Sequence, residues 1–198
     1  PTSGNFYYFG EHLPKSQHDP LEVARRGAEL IFQNAALISN LTVRENVSMP
    51  LYYHHRGTSE EIEKRASMAL DLMRVRNEES KFPHTLSSGV AKRVAIARAW
   101  AMDPRLLLMD EPTAGLDNYN RNMLIPLIDN MQAMFKTSLI LVTHDLLIAR
   151  ELGADLCFLS GKRLTPRLKF DEWLRSDLPI AHEMFRNLRE FQERDSHS

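Results

Sequence analysis

Two adjacent carboxylates, Asp110 and Glu111, are the residues of this sequence best suited to catalysis. They follow an apolar run over residues 106–109 and come directly before Pro112, which ends a strand. Both groups can therefore gather at the carboxyl edge of that strand, where ligands bind in open parallel sheets. Mg²⁺ takes one or two carboxylates together with nucleotide phosphates, which leaves a neighbouring carboxylate to activate water. An isolated Asp-Glu is more often an ordinary strand-to-turn pair, but the whole string over residues 106–117 favours the metal site.

Small residues at the predicted start of a helix, in the stretch 86–90, form a second candidate site. Backbone N–H groups are exposed at a helix N-terminus, and the helix dipole favours an anion there. Ser87 adds a hydroxyl donor, Gly89 leaves the backbone accessible, and Lys92 and Arg93 follow on the helix. A plain N-cap is the alternative, because serine is a preferred capping residue.

Two polar residues follow other predicted strands. His144 comes after residues 140–143, and Gln33 comes after Ile31 and Phe32. At the carboxyl edge of a parallel sheet, a histidine can donate to a phosphate oxygen and a glutamine can orient water or a metal ion. Each residue by itself is more often a hydrogen-bonded polar group in a loop.

The elements that must hold these residues alternate between strands and helices. Apolar runs bounded by turn signals predict a short aromatic strand at 6–9, a strand ending near Phe32, and buried strands over 105–109, 138–143 and 155–159. Helical spacing predicts a short helix after Leu21 and helices within 41–80, 89–102, 118–135, 146–152 and 170–194. Thr58 and Glu61 fit a capping box, and Pro126 is expected to kink or divide its helix. This alternation predicts a parallel sheet covered on both faces.

The composition narrows the possible functions. A chain of 198 residues with 43% apolar and 26% charged residues suits one globular domain, or one domain with a subdomain. The formal net charge of −1 provides no positive field for nucleic acid phosphates. The single cysteine, Cys157, excludes an intramolecular disulfide and indicates a reduced, intracellular protein. No apolar stretch approaches the ~20 residues that span a bilayer, so a membrane role would require a partner subunit.

Taken in order, these motifs resemble an ABC (ATP-binding cassette) ATPase from its Q-loop onward, over residues 1–165. The resemblance implies an α/β, P-loop NTPase-like (RecA-like) fold. Its mostly parallel sheet would carry a helical subdomain, and its N-terminal strands and phosphate loop would be missing. Residues 1–40 and 103–165 would form the core, and residues 41–102 the helical subdomain with the signature motif. Residues 166–198 would form a C-terminal helical extension, for which a simple helical tail is the alternative to a docking segment.

The resemblance implies ATP and Mg²⁺ as cofactors and gives four residues roles at the sheet edge. Asp110 would hold Mg²⁺ through water, and Glu111 would be the general base. Gln33 would sense Mg²⁺ and the attacking water and couple them to a transmembrane partner. His144 would brace the γ-phosphate.

Three further roles concern a second ATPase subunit, with a homodimer expected. Ser87 and Gly89 would touch the γ-phosphate of a nucleotide held by the opposite subunit, and Asp117 would lie at the dimer seam. Ser88 and Val90 replace a glycine and a glutamine of the common Leu-Ser-Gly-Gly-Gln signature, for which we expect a modest effect. Two such subunits would close around two ATP molecules and open after hydrolysis.

The branch of the family is indicated by two stretches. Residues 30–51 and 89–95 resemble the ATPases of Mla/Mce-type bacterial lipid transporters, although other import-type and lipoprotein-releasing cassettes share these segments. This resemblance implies transport at the bacterial inner membrane, of phospholipids in this branch. The subunit would lie in the cytoplasm, bound to the inner face of the membrane through a permease.

The phosphate-loop pattern G-x-x-x-x-G-K-[ST] does not occur in these 198 residues. The only Gly-Lys pair, Gly161-Lys162, has Leu156 and Arg163 where the pattern requires glycine and Ser/Thr. Since the sequence also starts at Pro1 rather than Met, we expect a piece that begins just downstream of the loop. Positioning and charge neutralisation provide nearly all phosphoryl-transfer catalysis. We therefore predict negligible Mg²⁺-dependent ATP hydrolysis by the isolated 198-residue chain, and robust phosphate release by that chain would contradict this prediction.

Two other functions fit the same motifs. The first is a catalytically dead partner subunit, or a truncated piece, that offers only its signature motif to an intact neighbour. The second is a non-transport ABC ATPase in DNA repair or translation. Such proteins usually carry long coiled coils, tandem cassettes or basic surfaces, and this sequence has none of these features, so no nucleic acid partner is expected.

Overall fold

The computed structural model describes residues 5–13 and 27–186 of the chain. The chain divides into two compact units between His144 and Asp145. The predicted helix after Leu21 and the last part of the predicted C-terminal helix, residues 187–194, lie outside the described residues. Within the described ranges, no helix has the length and apolar character needed to cross a membrane.

A three-stranded parallel sheet is the centre of the first unit. An antiparallel hairpin, β1 (Phe6–Tyr8) and β2 (Glu11–Leu13), precedes it. The sheet has the order β3-β4-β5 and is formed by β3 (Ala28–Ile31), β4 (Leu106–Asp110) and β5 (Ser138–Val142). All three strands run parallel, as the sequence predicts.

The two faces of this sheet differ in burial. Leu107 and Met109 of β4 point to one face and are 0% and 1% exposed. Ile140 and Val142 of β5 lie on the opposite face and are 50% and 63% exposed. The prediction that β5 is a buried strand is therefore wrong for the described part of the chain. Its apolar side chains alternate between faces, and the described residues leave one face open at β5.

Three helices between β3 and β4 pack on one another: α1 (Val43–Tyr53), α2 (Ser59–Leu72) and α3 (Ser88–Ala101). Thr58 and Glu61 form the predicted capping box at the start of α2. Two short 3₁₀ turns separate α2 from α3. The apolar side chains that fill the space between these helices are fully buried, among them Val47, Leu51, Ile62, Leu70 and Trp100.

The helix that joins β4 to β5 is continuous. This helix, α4 (Asn118–Phe135), contains Pro126 in its interior, so of the two expected effects, a kink or a division, the division does not occur. Pro126 lies on the exposed side of α4, and the carbonyl that loses its N–H partner can be hydrated there. The buried face of α4 includes residues on both sides of Pro126, among them Leu124 and Ile128.

The described part of the second unit, residues 145–186, consists of short elements around an aromatic core. They are α5 (Leu146–Glu151), β6 (Asp155–Leu156), β7 (Leu159–Ser160), β8 (Arg163–Leu164), β9 (Leu168–Lys169), α6 (Phe170–Leu174) and α7 (Pro179–Met184). The core contains Phe158, Phe170, Trp173, Ala181 and Phe185.

The prediction of one strand over residues 155–159 is wrong. β6 pairs antiparallel with β9, and β7 pairs antiparallel with β8. The break between them lies at Phe158, whose N–H donates to Thr165 Oγ1 at 2.8 Å and whose ring packs edge-on against Trp173. At this position a hydrogen bond from the backbone to a side chain replaces the backbone–backbone hydrogen bond that would continue the strand.

Candidate active site

Three loops meet at the carboxyl edge of the parallel sheet. The register pairs Ile31 with Met109 and Met109 with Leu141, so β3, β4 and β5 end side by side. Gln33 follows β3, Asp110 and Glu111 end and follow β4, and His144 follows β5 by two residues. These four predicted residues therefore belong to one edge of one sheet, which is where ligands bind in this kind of fold.

The Glu111 carboxylate is held by the loop after β5. Its Oε1 lies 2.8 Å from His144 Nδ1 and accepts the His144 backbone N–H at 3.0 Å. Its Oε2 accepts the hydroxyl of Thr143 at 3.2 Å. Glu111 itself has φ +48°, and its N–H donates to Val142 O at 2.8 Å. This left-handed backbone, rare for a residue with a side chain, turns the carboxylate from the end of β4 toward the neighbouring loop.

Exposure differs sharply within this group. The Glu111 side chain is 19% exposed, whereas the His144 side chain is 79% exposed. The imidazole therefore faces solvent while it contacts the carboxylate, and a phosphate could approach it from outside. A carboxylate anchored by two donors in this way can accept a proton from a water held nearby. The sequence analysis does not predict this role for Thr143. Its position directly before His144 is the only feature of the sequence that indicates it.

Asp110 provides the oxygen that suits a cation. It is the last residue of β4, lies opposite Val142 and is exposed. Among the described residues, no three His, Cys, Asp or Glu side chains come together as a metal site. A metal ion here would need oxygens from outside the protein, and Mg²⁺ typically combines one or two carboxylates with waters and phosphates. The residues present therefore fit Mg²⁺ bound together with a nucleotide.

A second group of predicted residues lies where α3 and α4 begin. Ser87 caps α3, and its Oγ accepts the Val90 N–H at 3.4 Å. Asp117 caps α4, and its Oδ1 accepts the Asn120 N–H at 2.7 Å. Hydrogen bonds from the backbone and side chain of Asn120 hold the pKa of Asp117 below its ordinary value. Both residues thus have the capping role that a polar residue before a helix favours.

Gly89 joins these two helix starts. It is buried, and a Cβ at this position would lie 2.6 Å from Asn120 Cγ. The same Asn120 amide group bonds both carboxylate oxygens of Asp117 and accepts from Arg93 Nη1 at 3.2 Å. The absence of a side chain at Gly89 therefore has a structural reason, which is room for Asn120. No pattern in the sequence indicates this role for Asn120.

The loop after Gln33 is fixed by a residue of α3. Arg98 donates from Nη1 to Ala36 O at 2.9 Å and from Nη2 to Ala35 O at 3.1 Å. Ala35 and Ala36 have φ of +63° and +45°, so the backbone turns sharply directly after Gln33. A guanidinium bound to two carbonyls stabilises such a turn, because it satisfies acceptors that the turn cannot pair internally.

Glu29 of β3 produces a testable pH effect near this loop. Burial raises the pKa of its carboxyl from 4.5 to about 7, although the charges of Arg98 and Arg56 act in the opposite direction. Between pH 4.5 and 7 the folded protein keeps a proton that the unfolded chain has lost, so this residue lowers stability progressively as the pH rises through that window. We expect Glu29→Gln to gain about 1–3 kcal/mol relative to the wild type from pH 4.5 to 7.

Urea denaturation of both proteins at several pH values measures this difference. Glu60→Gln is the control, because it makes the same chemical change at an exposed position in the first turn of α2. A difference between Glu29→Gln and the wild type that stays constant from pH 4.5 to 7 would contradict the raised pKa.

Comparison with known proteins shows similarity to one large family. A family model described as "ABC transporter" matches residues 1–114. The lipoprotein-releasing system ATP-binding protein LolD 1 of Chlorobium chlorochromatii is 33% identical over 92% of this chain and 73% of its own length. The methionine import ATP-binding protein MetN of Vibrio vulnificus is 30% identical over 94% of this chain and 54% of its own length. The chain thus spans about half the length of MetN.

A solved structure has the same fold. The dimeric, post-hydrolysis state of the ATP-binding cassette MJ0796, bound to ADP and Pi, superimposes with a TM-score of 0.72. The two sequences are 31% identical, and the superposition covers 85% of this chain and 74% of MJ0796. At this identity and coverage the similarity extends to the fold of an ATP-binding cassette, a P-loop NTPase fold.

Proposed function

Because this chain belongs to the ABC transporter family, whose ATP-binding subunits hydrolyse ATP, we propose that it forms the greater part of such a subunit and supplies the catalytic groups of its sheet edge. The observation that carries this proposal is the Glu111 carboxylate held by Thr143 and His144 beside Asp110. ABC ATPases bind ATP with Mg²⁺, which neutralises charge on the phosphates.

We assign the proton-accepting role to Glu111. Its two oxygens are fixed by donors from the loop after β5, so a proton taken from an attacking water would be received at a defined place. Asp110 would hold Mg²⁺ and Gln33 would orient water at the neighbouring strand end. His144, exposed and in contact with Glu111, would meet the terminal phosphate.

The start of α3 would act on a second subunit. Ser87 and Gly89 would contact a nucleotide held by that subunit, and Asp117 would lie at the seam between the two. The dimeric neighbour MJ0796 supports this arrangement, because it has the same fold and was captured after hydrolysis. ABC ATPases of transporters work with a membrane-spanning permease, and we place this subunit on the cytoplasmic face of the membrane, bound to such a partner. Residues 41–102 would be the helical subdomain in that assembly, between core segments 1–40 and 103–165, followed by an extension over 166–198.

The transported substrate is the most specific element of the proposal. We propose a phospholipid, on the resemblance of residues 30–51 and 89–95 to lipid-transport ATPases. The relatives LolD 1 and MetN are named for lipoprotein release and methionine import. Lipoprotein and methionine are therefore the alternative substrates. Transport of labelled phospholipid, lipoprotein or methionine by proteoliposomes with the subunit and its permease distinguishes the three.

The test of the function itself is ATP hydrolysis by the protein expressed from its complete reading frame. We expect Mg²⁺-dependent phosphate release that requires dimer formation and is lost with EDTA. A protein that releases no phosphate, yet restores hydrolysis when mixed with an intact subunit whose own signature serine is mutated, would instead be the non-hydrolysing partner.

A further inference from the structure

Lys92 is a buried cation whose three donors all bond to one turn. Its Nζ donates to Glu111 O at 3.1 Å, Pro112 O at 3.1 Å and Ala114 O at 2.5 Å. The residue is 7% exposed. An ammonium group has three N–H donors, so the turn satisfies it completely. Lys92 is therefore attached to the backbone of the proposed catalytic base and to the residues that follow it.

The turn that Lys92 binds needs such support. Glu111 is in the left-handed region at φ +48°, and Gly115 follows at φ +71°. Within the turn, Ala114 N–H donates to Glu111 O at 3.1 Å and Leu116 N–H donates to Thr113 O at 3.2 Å. A non-glycine residue such as Glu111 persists in this region only where surrounding groups hold it. The Lys92 ammonium provides that constraint, because it binds three carbonyls that would otherwise repel one another.

Lys92 also belongs to the helix that carries the signature residues. It lies one turn after Ser87 and Gly89 on α3, whose next residue, Arg93, bonds Asn120 beside Asp117. α3 is thus tied at two successive residues to the segment that begins at Glu111 and ends at the start of α4. A displacement of the α3 start would move that turn with it, since close-packed elements transmit movement.

We propose that Lys92 is a positioning residue that fixes the Glu111 backbone and couples it to the signature end of α3. The proposal rests on the function given above for Glu111. Closure of a second subunit against Ser87 and Gly89 would then reach the base of this subunit's own site through one side chain. Burial lowers the pKa of Lys92, while the charge of Glu111 acts in the opposite direction.

The first test measures amide hydrogen exchange by mass spectrometry on the 198-residue chain. In Lys92→Met, we expect the peptide that covers residues 111–117 to exchange about tenfold faster. The Ala114 and Leu116 amides are hydrogen-bonded within the turn, and without the lysine that turn opens more often. Peptides from α2 should keep their wild-type rates. Lys92→Arg retains a cation and should restore part of the protection. Lys64→Met, at an exposed lysine of α2, is the matched control.

The second test measures ATP hydrolysis by the protein from its complete reading frame. Lys92→Met should lower kcat about tenfold with KM for ATP changed less than about twofold, because the base is misplaced while nucleotide binding persists. In a Glu111→Gln background the same substitution should have no further effect, since both act through one carboxylate.

The outcomes separate the inference from the function. If the wild type hydrolyses ATP and Lys92→Met changes neither kcat nor exchange at 111–117, the coupling role is overturned and the function stands. Acceleration of exchange that is equal in all peptides also overturns it, because Lys92 would then be a general stabiliser. If the wild type does not hydrolyse ATP, the proposed function fails, and local exchange at 111–117 still decides whether Lys92 holds the turn.

Discussion

Replacing Glu111 with glutamine is expected to reduce ATP turnover by about 10²–10⁴-fold, the usual contribution of a general base. The amide has the size of the carboxylate, and its oxygen can still accept the His144 backbone N–H, so the loop after β5 should stay in place. It cannot accept a proton from water at neutral pH. Mg²⁺-ATP binding should therefore persist, and a nucleotide-bound dimer should accumulate because it closes without hydrolysis.

Three measurements on the protein from its complete reading frame check this expectation. They are steady-state phosphate release, fluorescent ATP binding, and molar mass by light scattering with Mg²⁺-ATP. Glu60→Gln, at an exposed site in the first turn of α2, makes the same chemical change away from the sheet edge and should behave as the wild type. Turnover of Glu111→Gln close to the wild-type rate would reject Glu111 as the base.

A methyl group at Gly89 is expected to cause the largest loss of stability. The added Cβ would lie 2.6 Å from Asn120 Cγ, so Asn120 must move. That movement breaks the contacts of Asn120 with Arg93 and with both oxygens of Asp117. Overpacking of a buried site typically costs about 1–3 kcal/mol, and Gly89→Ala should lower the free energy of unfolding by that amount. Denaturant melts of the 198-residue chain measure it.

A double-mutant cycle separates the steric role of Gly89 from a role in phosphate binding. Asn120→Ala removes the amide that lies closest and leaves only Cβ, 3.1 Å from the added methyl carbon, so Gly89→Ala in that background should cost about half of what it costs in the wild type. Ser88→Ala, at the exposed neighbouring position of α3, is the control and should leave stability nearly unchanged. Additive losses in the double variant would show that Asn120 is not the cause. A double variant that regains stability but not ATP hydrolysis would add evidence for a nucleotide contact at Gly89.

The two variants probe the site in different ways. Glu111→Gln changes charge at constant shape, so its effect should appear in turnover and leave unfolding unaffected. Gly89→Ala changes shape at constant charge, so its effect should appear first in stability. If both variants lose turnover while only Gly89→Ala loses stability, the sheet edge supplies the chemistry and the start of α3 supplies the geometry.

Local sequence determined the strand ends and most of the candidate residues at them. An apolar run that stops at Asp110, Glu111 and Pro112 places those carboxylates at a strand end whatever the rest of the chain does. The same holds for His144 after β5 and Gln33 after β3. Helix caps at Ser87 and Asp117 are also local, because a side chain there bonds an N–H three residues on.

Only the tertiary structure decided which distant residues hold those positions. Lys92 reaches Ala114 across 22 residues, Arg93 reaches Asn120 across 27, and Arg98 reaches Ala36 across 62. A basic residue on a helix has the same local pattern whether it is solvated or buried against carbonyls. Burial is set by the packing of α3 against other elements, which periodicity does not encode. Similarly, nothing in the apolar run that starts at Asp155 indicates that β6 pairs antiparallel with β9. That pairing depends on the turns between the two strands. The sequence thus determined which groups do the chemistry, and the tertiary contacts of α3 decided what keeps them in place, because those contacts form only when residues far apart in the chain pack together.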